Sequence, residues 1–316
     1  MHKISIMADP LPQIFIDALA DQFEILPWDD SPNSPVLDRA VGIVIYAHPG
    51  VDGPLMDRMP NLKVVSNHGV GVDHVDVAAA DERNIPVGNT PGCLDRSTAD
   101  MTMALLLAIA RNVVVGDHFA RSPEFVHYDP KLLIGQEVSG STLGIVGMGR
   151  IGKEVAKRAA GFDMPTLYHN RNRNLAAEEQ YGVKYVSLDE LLEQSDFVSL
   201  NCPMTAETHH LISTDELKKM KPTAFLINMA RGPVVDTDAL YEALTTGEIA
   251  GAGLDVTDPE PLPRNHRLLK LDNVIIAPHL GSASNRTRQR MMEITVENLI
   301  AGISGHQLPH PVTLKG

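Results

Sequence analysis

The chain has 316 residues, 43% of them hydrophobic and 21% charged, with a formal net charge of −13. That acidity, with no run of five or more basic residues, disfavours nucleic acid and anionic membrane surfaces as partners. The length suits two domains better than one, and no apolar run reaches the roughly 18 residues that a membrane-crossing helix needs.

In chain order, short β-rich runs alternate with helical patterns, the signature of a parallel-sheet α/β protein. The first part offers strands at Lys3–Met7, Gln22–Leu26, Gly42–Tyr46, Lys63–Ser66 and Pro86–Asn89, with helices at Leu11–Ala20 and Val75–Arg83. His48–Pro54, rich in glycine and proline, reads as a loop, and a long helix is expected over Asp95–Arg111. A polar stretch, Gly116–Gly140, follows. The second series offers strands at Thr142–Val146, Thr166–Tyr168, Lys184–Val186, Phe197–Leu200, Ala224–Asn228, Gly251–Leu254 and Val274–Ala277. Helices are expected at Ile151–Ala160, Leu188–Gln194 and Thr237–Thr246. A last helix, Asn285–Ile303, has no strand after it and is free to cross back onto the first part. The expectation is two Rossmann-like or flavodoxin-like parallel-sheet α/β domains, the second inserted into the first.

An apolar strand leads directly into Gly147, Gly149 and Gly152, and a helix begins near Arg150. Three glycines alone are weak evidence, since glycine is common in turns. In this strand–turn–helix context, Gly147 suits the turn, Gly149 the close approach of a pyrophosphate, and Gly152 the packing of helix on strand. The helix N-terminus then offers N–H groups and a positive dipole end to phosphate. The bland alternative is a tight turn without a ligand. An acidic residue about twenty positions on normally binds the adenosine ribose hydroxyls. Here the next strand runs into His169-Asn170-Arg171-Asn172-Arg173. The two arginines favour a 2′-phosphate, hence NADP(H) over NAD(H), against the plainer reading of a solvated basic loop.

Two strand ends deliver one polar side chain each: Arg231 after Ala224–Asn228, and His279 after Val274–Ala277. Between them comes Leu254-Asp255-Val256 and then Asp258-Pro259-Glu260-Pro261. Reduction of a 2-oxo acid needs a cation for the carboxylate and ketone, and a proton donor held charged. Arg231 has the planar fork for the first task, and His279 titrates in the right range for the second. Glu260 favours and orients the imidazolium. A lone arginine is usually a solvated side chain, and most of the 13 histidines are expected to be surface or packing residues.

The runs N-H-G-V-G-V-D-H-V-D, N-T-P-G, T-L-G-I-V-G-M-G-R-I-G, N-C-P-M-T-A-E-T, I-N-M-A-R-G, G-L-D-V and A-P-H-L-G-S-A, in this order between about Lys63 and Gly302, resemble the D-2-hydroxyacid dehydrogenases, and among them the glyoxylate/hydroxypyruvate reductase branch. The resemblance implies that Arg231, Glu260 and His279 form the catalytic set. It implies that Val70 and Gly71 grip the substrate carboxylate by their backbone, and that Ser282 and Arg288 shape the substrate end. It puts Thr98, Arg150, Ile151, Asn170, Cys202, Pro203, Thr208, Ala230 and Gly281 at the cofactor with the glycines, Arg171, Arg173 and His279, and gives Asp255 the nicotinamide carboxamide. Relatives with H-N-R after the second strand tend to use NADP(H), and members are typically homodimers with a hinge that closes out water. Two departures concern substrate preference: Phe125 stands near the place of the family's usual tryptophan, and Cys93–Thr98 differ from its commonest wording.

The domains expected are a substrate domain, 1–97 with 285–316, and a cofactor domain, 98–284. The reaction expected is reduction of glyoxylate or hydroxypyruvate to the D-2-hydroxy acid, with 2-ketogluconate or another sugar acid as a wider substrate. Formate or phosphite oxidation would use similar groups. A dinucleotide-sensing corepressor is the non-enzymatic alternative, which short termini argue against. Cys93 and Cys202 lie in no metal-ligand spacing, and MHKISIMADPLP lacks an export signal, so a reducing cytoplasm and no metal are expected.

Overall fold

The computed structural model describes residues 3–313. In chain order the elements are β1 Ile4–Ala8, α1 Gln13–Ala20, β2 Phe23–Pro27, α2 Pro35–Arg39, β3 Gly42–Ile45, α3 Gly53–Asp57, β4 Val64–Asn67, α4 Val77–Glu82 and β5 Val87–Gly88. There follow α5 Asp95–Ala110, α6 Val113–Arg121, β6 Leu143–Val146, α7 Arg150–Ala159, β7 Thr166–His169, α8 Leu175–Tyr181, β8 Lys184–Tyr185, α9 Leu188–Gln194 and β9 Phe197–Leu200. The chain continues with α10 Thr214–Lys219, β10 Phe225–Asn228, α11 Thr237–Thr246, β11 Gly251–Leu254, β12 Val274–Ile276 and α12 Asn285–Ile303.

Two compact units result: Met1–Leu94 with Ser284–Gly316, and the intervening Asp95–Ala283. The first boundary falls a few residues earlier than expected, before the long helix. The reason is that α5 is one continuous helix whose buried residues, among them Ala99, Leu105 and Leu106, join the core of the second unit.

The first unit is a five-stranded sheet in the order β2-β1-β3-β4-β5, with every pair parallel. Continuous apolar strands such as Ile43–Ile45 are buried because parallel sheets are covered on both faces. Helix α12 covers β3 and β4 with Leu299 and Ile303, joined by Met292, Val296 and Ile300. It lies so close that a Cβ on Gly302 would stand 2.5 Å from the Val64 side chain. Buried polar groups on this helix are paired: Ser66 donates to the Thr295 carbonyl at 2.8 Å, and Asn298 donates to that of Asn89 at 3.0 Å.

The second unit is a seven-stranded parallel sheet, β12-β11-β10-β9-β6-β7-β8. Its order reverses between β6 and β9. Such a switch point opens a crevice at the carboxyl ends of the strands, where ligands bind in open α/β sheets. One core layer packs α5 and α7 on the sheet through Leu105, Leu106 and Val155. The other uses Leu191, Leu217 and Leu240 from α9, α10 and α11.

Helices α2, α8 and α10 lie outside the helices named from sequence, and two stretches depart from the sequence reading more sharply. Val113–Arg121 within and before the expected polar segment is a helix, and none of its residues is buried. Gly53 and Pro54 do not continue a loop but open α3, capped by the Asp52 carboxylate, which accepts from Leu55 N–H at 2.8 Å. Proline fits there because the first helical turn needs no donor from it.

Leu299 is fully buried on the β3–β4 face. Leu299→Ala should lower the unfolding free energy by about 3 kcal/mol, read from denaturant melts. A loss below about 1 kcal/mol would contradict the idea that α12 seals this sheet.

Candidate active site

The sharpest feature of the second unit is a knot of three turns beyond β10, β11 and β12. Buried Asn228, the last residue of β10, bends the first turn: its amide donates to the Arg231 carbonyl at 2.9 Å and its oxygen accepts from Ala230 N–H at 3.0 Å. Arg231 emerges from that turn, with one guanidinium contact to the Ala230 carbonyl at 3.0 Å. Gly232 follows because nothing larger fits. A Cβ there would meet the Thr257 carbonyl oxygen at 2.0 Å and its carbon at 2.2 Å. The Arg231 turn is thereby pressed against the segment that leads to Glu260.

Asp255, at the end of β11, ties the second turn to the third. Its two carboxylate oxygens accept from Leu280 N–H at 2.6 Å and Gly281 N–H at 2.8 Å. Burial raises its pKa, while those two bonds and the nearby His279 work against the rise. Between these anchors, His279 adopts a left-handed backbone, φ 57°. Its N–H donates to the carbonyls of Asp255 and Ala277, both at 3.0 Å. The ring Nδ1 then meets Glu260 Oε1 at 2.7 Å, with both side chains about one-third exposed (32% and 39%). A carboxylate at Nδ1 fixes the ring's orientation. Buried Thr98, on α5, packs toward the same turn, its methyl 3.3 Å from the position a Cβ on Gly281 would take. Ser282 follows, half-buried.

On the other side of the switch point lies the loop Gly147–Gly152. Gly147 has φ 101°, and a Cβ on it would stand 2.6 Å from Cys202 N. Gly152 packs against the Gly147 carbonyl at 2.2 Å by the same measure, whereas Gly149 faces open space. Gly149 caps α7 with no side-chain bond to the helix N–H groups, so the first turn, with Arg150 and Ile151, is open to an anion. The glycine pattern therefore fits a dinucleotide pyrophosphate. Cys202 is largely buried, which pushes its thiol up to about 11, so it is not a thiolate at neutral pH. Thr208 spends its hydroxyl within its own turn, donating to the Pro203 carbonyl at 2.7 Å and accepting from Thr205 N–H at 2.8 Å.

Two asparagines hold the loop from the β7 side. Asn170 Oδ1 accepts from Met148 N–H at 2.8 Å, and Asn174 Nδ2 donates to the Met148 carbonyl at 3.3 Å. Arg171 is exposed. Arg173 is not an uncommitted cation: its Nε and Nη2 donate to the two oxygens of Glu178, each at 2.7 Å.

In the first unit, the loop after β4 carries Val70 and Gly71. Asn67 donates to the Gly69 and Gly71 carbonyls at 3.2 and 2.9 Å, and Asn89 to that of Val70 at 2.9 Å. Among the described residues no acceptor takes the N–H groups of Val70 and Gly71. That is the arrangement a carboxylate-gripping backbone requires. Nearby His68 is buried, stacks on Tyr46, and is held neutral, its pKa lowered to about 3 by burial and then by Arg288 and His48. Thr295 gives its hydroxyl hydrogen to the Met291 carbonyl at 2.8 Å, so its oxygen accepts from His68 Nδ1 at 3.3 Å. This assigns His68 the Nδ1–H tautomer.

Sequence reading did not find Asn228, Asn174, Asn67 or Glu178. Among the described residues, no group of three or more His, Cys, Asp or Glu is placed to hold a metal ion, and no single helix is long and apolar enough to cross a membrane.

Residues 103–281 match the family model of the D-isomer specific 2-hydroxyacid dehydrogenase NAD binding domain. A glyoxylate reductase of Korarchaeum cryptofilum is 46% identical over 309 residues, 96% of this chain and 93% of that protein. Among solved structures, the NADPH-dependent glyoxylate/hydroxypyruvate reductase of Sinorhizobium meliloti, in complex with NADP and malonate, is 34% identical. It superimposes with a TM-score of 0.90, covering 99% of this chain and 97% of that one. The D-lactate dehydrogenase of Aquifex aeolicus, complexed with NAD and lactic acid, gives 30% identity and a TM-score of 0.87 over 99% of this chain and all of that one. The chain belongs to the D-isomer specific 2-hydroxyacid dehydrogenase family, glyoxylate reductase branch, and is an oxidoreductase with an NAD(P)-binding domain.

Gly232→Ala tests the knot. It should cut kcat/KM at least about 100-fold by shifting Arg231 against Glu260, with circular dichroism unchanged. Near-normal turnover would mean that the two turns need not touch.

Proposed function

We propose that this enzyme reduces glyoxylate or hydroxypyruvate to the D-2-hydroxy acid with NAD(P)H, NADPH being preferred. The observation that carries the reading is the 2.7 Å contact between His279 and Glu260, in the same knot of strand-end turns that delivers Arg231. When bound, the nicotinamide supplies hydride. The chain's own residues bind, polarise and protonate. The Arg231 fork binds the carboxylate and polarises the ketone. His279 gives the proton from Nε2 to the oxygen that was the ketone, and Glu260 keeps the ring turned for that step. In the first unit, the N–H groups of Val70 and Gly71 suit a carboxylate, and Ser282 and Arg288 are read as substrate contacts.

The open first turn of α7 and Gly147, Gly149 and Gly152 would hold the pyrophosphate. Asn170 and Arg171 border the adenosine end, where exposed Arg171 supports the NADPH preference. Cys202, Pro203, Ala230, Thr98 and Gly281 would line the rest. The Asp255 oxygens already accept two backbone N–H groups, so any bond from the carboxamide would be an additional one.

A homodimer is supported by the apolar side chains exposed between Val113 and Ile134: Phe125 at 49%, Val126 at 78%, Tyr128 at 80% and Ile134 at 77%. Val126→Asp with Ile134→Glu should convert a dimer into a monomer in sedimentation velocity. A wild-type monomer would remove this part of the reading.

Nicotinamide absorbance with glyoxylate and hydroxypyruvate tests the chemistry. Arg231→Gln should raise KM for the oxo acid and lower kcat/KM by about 10³. His279→Gln should lower kcat by about 10²–10⁴ with less effect on KM. Equal activity in all three proteins would refute the assigned roles.

A further inference from the structure

Arg173 lies four residues past the end of β7, in the segment that the dinucleotide reading assigns to the 2′-phosphate, yet its guanidinium is occupied. Both oxygens of Glu178 take bonds from it at 2.7 Å, a two-point pairing of the kind that arginine also makes with phosphate. Tyr168, whose ring is buried in the core, donates its hydroxyl to Glu178 Oε1 at 2.7 Å. The same hydroxyl accepts from Asn174 N–H at 2.8 Å. Asn174 in turn caps α8, accepting from Ala177 N–H at 3.1 Å, and reaches the Met148 carbonyl of the glycine loop. Glu178 is therefore fixed by α8 and Tyr168, whereas the Arg173 side chain is 58% exposed and has room to turn. Among the described residues Arg171, two positions earlier, has no ion pair. Its charge acts on Glu207, whose pKa it helps to lower after bonds from Thr205 and its own backbone.

We propose that Glu178 is a built-in competitor for the 2′-phosphate, holding Arg173 so that Arg171 alone favours NADPH and NADH remains usable. With NADPH, the phosphate dianion must draw Arg173 away from a carboxylate of the same sign as itself. With NADH, the ribose hydroxyls ask nothing of Arg173, and the pair stays closed. The hydrogen bonds from Arg173 and then Tyr168 lower the Glu178 carboxyl to about 2, so it stays ionised throughout the working pH range. The inference rests on the reading of Gly147–Gly152 as a dinucleotide loop.

The test is Glu178→Gln, which keeps an acceptor for Tyr168 and removes the charge. Dissociation constants for NADPH and NADH, read by nicotinamide fluorescence, and kcat/KM for each would be measured at low and high salt. The ratio favouring NADPH should rise about fivefold at low salt and less at high salt, as expected for one exposed charge pair. Adding Arg173→Ala to Glu178→Gln should abolish the rise. Tyr168→Phe disturbs the brace without removing the charge, and should leave the ratio alone. A rise in Tyr168→Phe equal to that in Glu178→Gln would overturn the proposal in favour of simple distortion. Wild-type binding of both dinucleotides with an unchanged ratio in Glu178→Gln overturns only the role of Glu178. Wild-type protein that binds neither overturns the dinucleotide reading and this one with it.

Discussion

The carboxylate of Asp255 holds the strand-end turns together, and the candidate chemistry depends on it. Each oxygen takes a backbone N–H from the turn after His279. Burial alone would favour the neutral acid, and it is the largest cause of the raised pKa. The two bonds are what keep an ionised group tolerable there. They also offset the left-handed backbone of His279, a conformation costing on the order of 1 kcal/mol in a non-glycine residue. Because Gly232 lets the Arg231 turn close on Thr257, the turn that carries Arg231 meets the segment leading to Glu260, whose carboxylate meets His279.

The glycine loop follows a similar rule. Its opening toward an anion comes from what is absent, a Cβ at Gly149 and a capping side chain on α7, while its position comes from amides that grip Met148 on both sides. Local donors of this kind matter in a chain with a net charge of −13. The average field repels anionic substrates and cofactors, so in the proposed function capture would fall to particular cations and N–H groups: Arg231, Arg171, the α7 first turn and the loop at Val70–Gly71. Arg173 shows that the sign of a side chain is not enough, since its partner decides whether its charge can be used.

The two parallel sheets were legible because buried strands read as continuous apolar runs and glycine punctuates the turns. Arg231 and His279 stood out in the sequence because each is a polar residue two or three positions past such a run. The asparagines were not. Asn228, Asn174 and Asn67 act through side-chain bonds to backbone, and the Asn174 bond to Met148 spans 26 positions, which no local pattern reports. A polar residue closing the run Phe225–Asn228 was the one available clue to Asn228. Glu178 was hidden by helical register: it lies ten residues beyond Tyr168, on a helix that was not expected. Helices α2 and α3, five residues each, are too short for a period of 3.6 to repeat. Helix α6 escaped because its valines face outward, contrary to the rule that a helix buries its apolar stripe.

The most direct test of the account is the product itself. Purified enzyme with hydroxypyruvate and NADPH should form D-glycerate, resolved by chiral chromatography, with one equivalent for each NADPH oxidised. The L isomer, or no oxidation of either NADPH or NADH by hydroxypyruvate and glyoxylate, would contradict it.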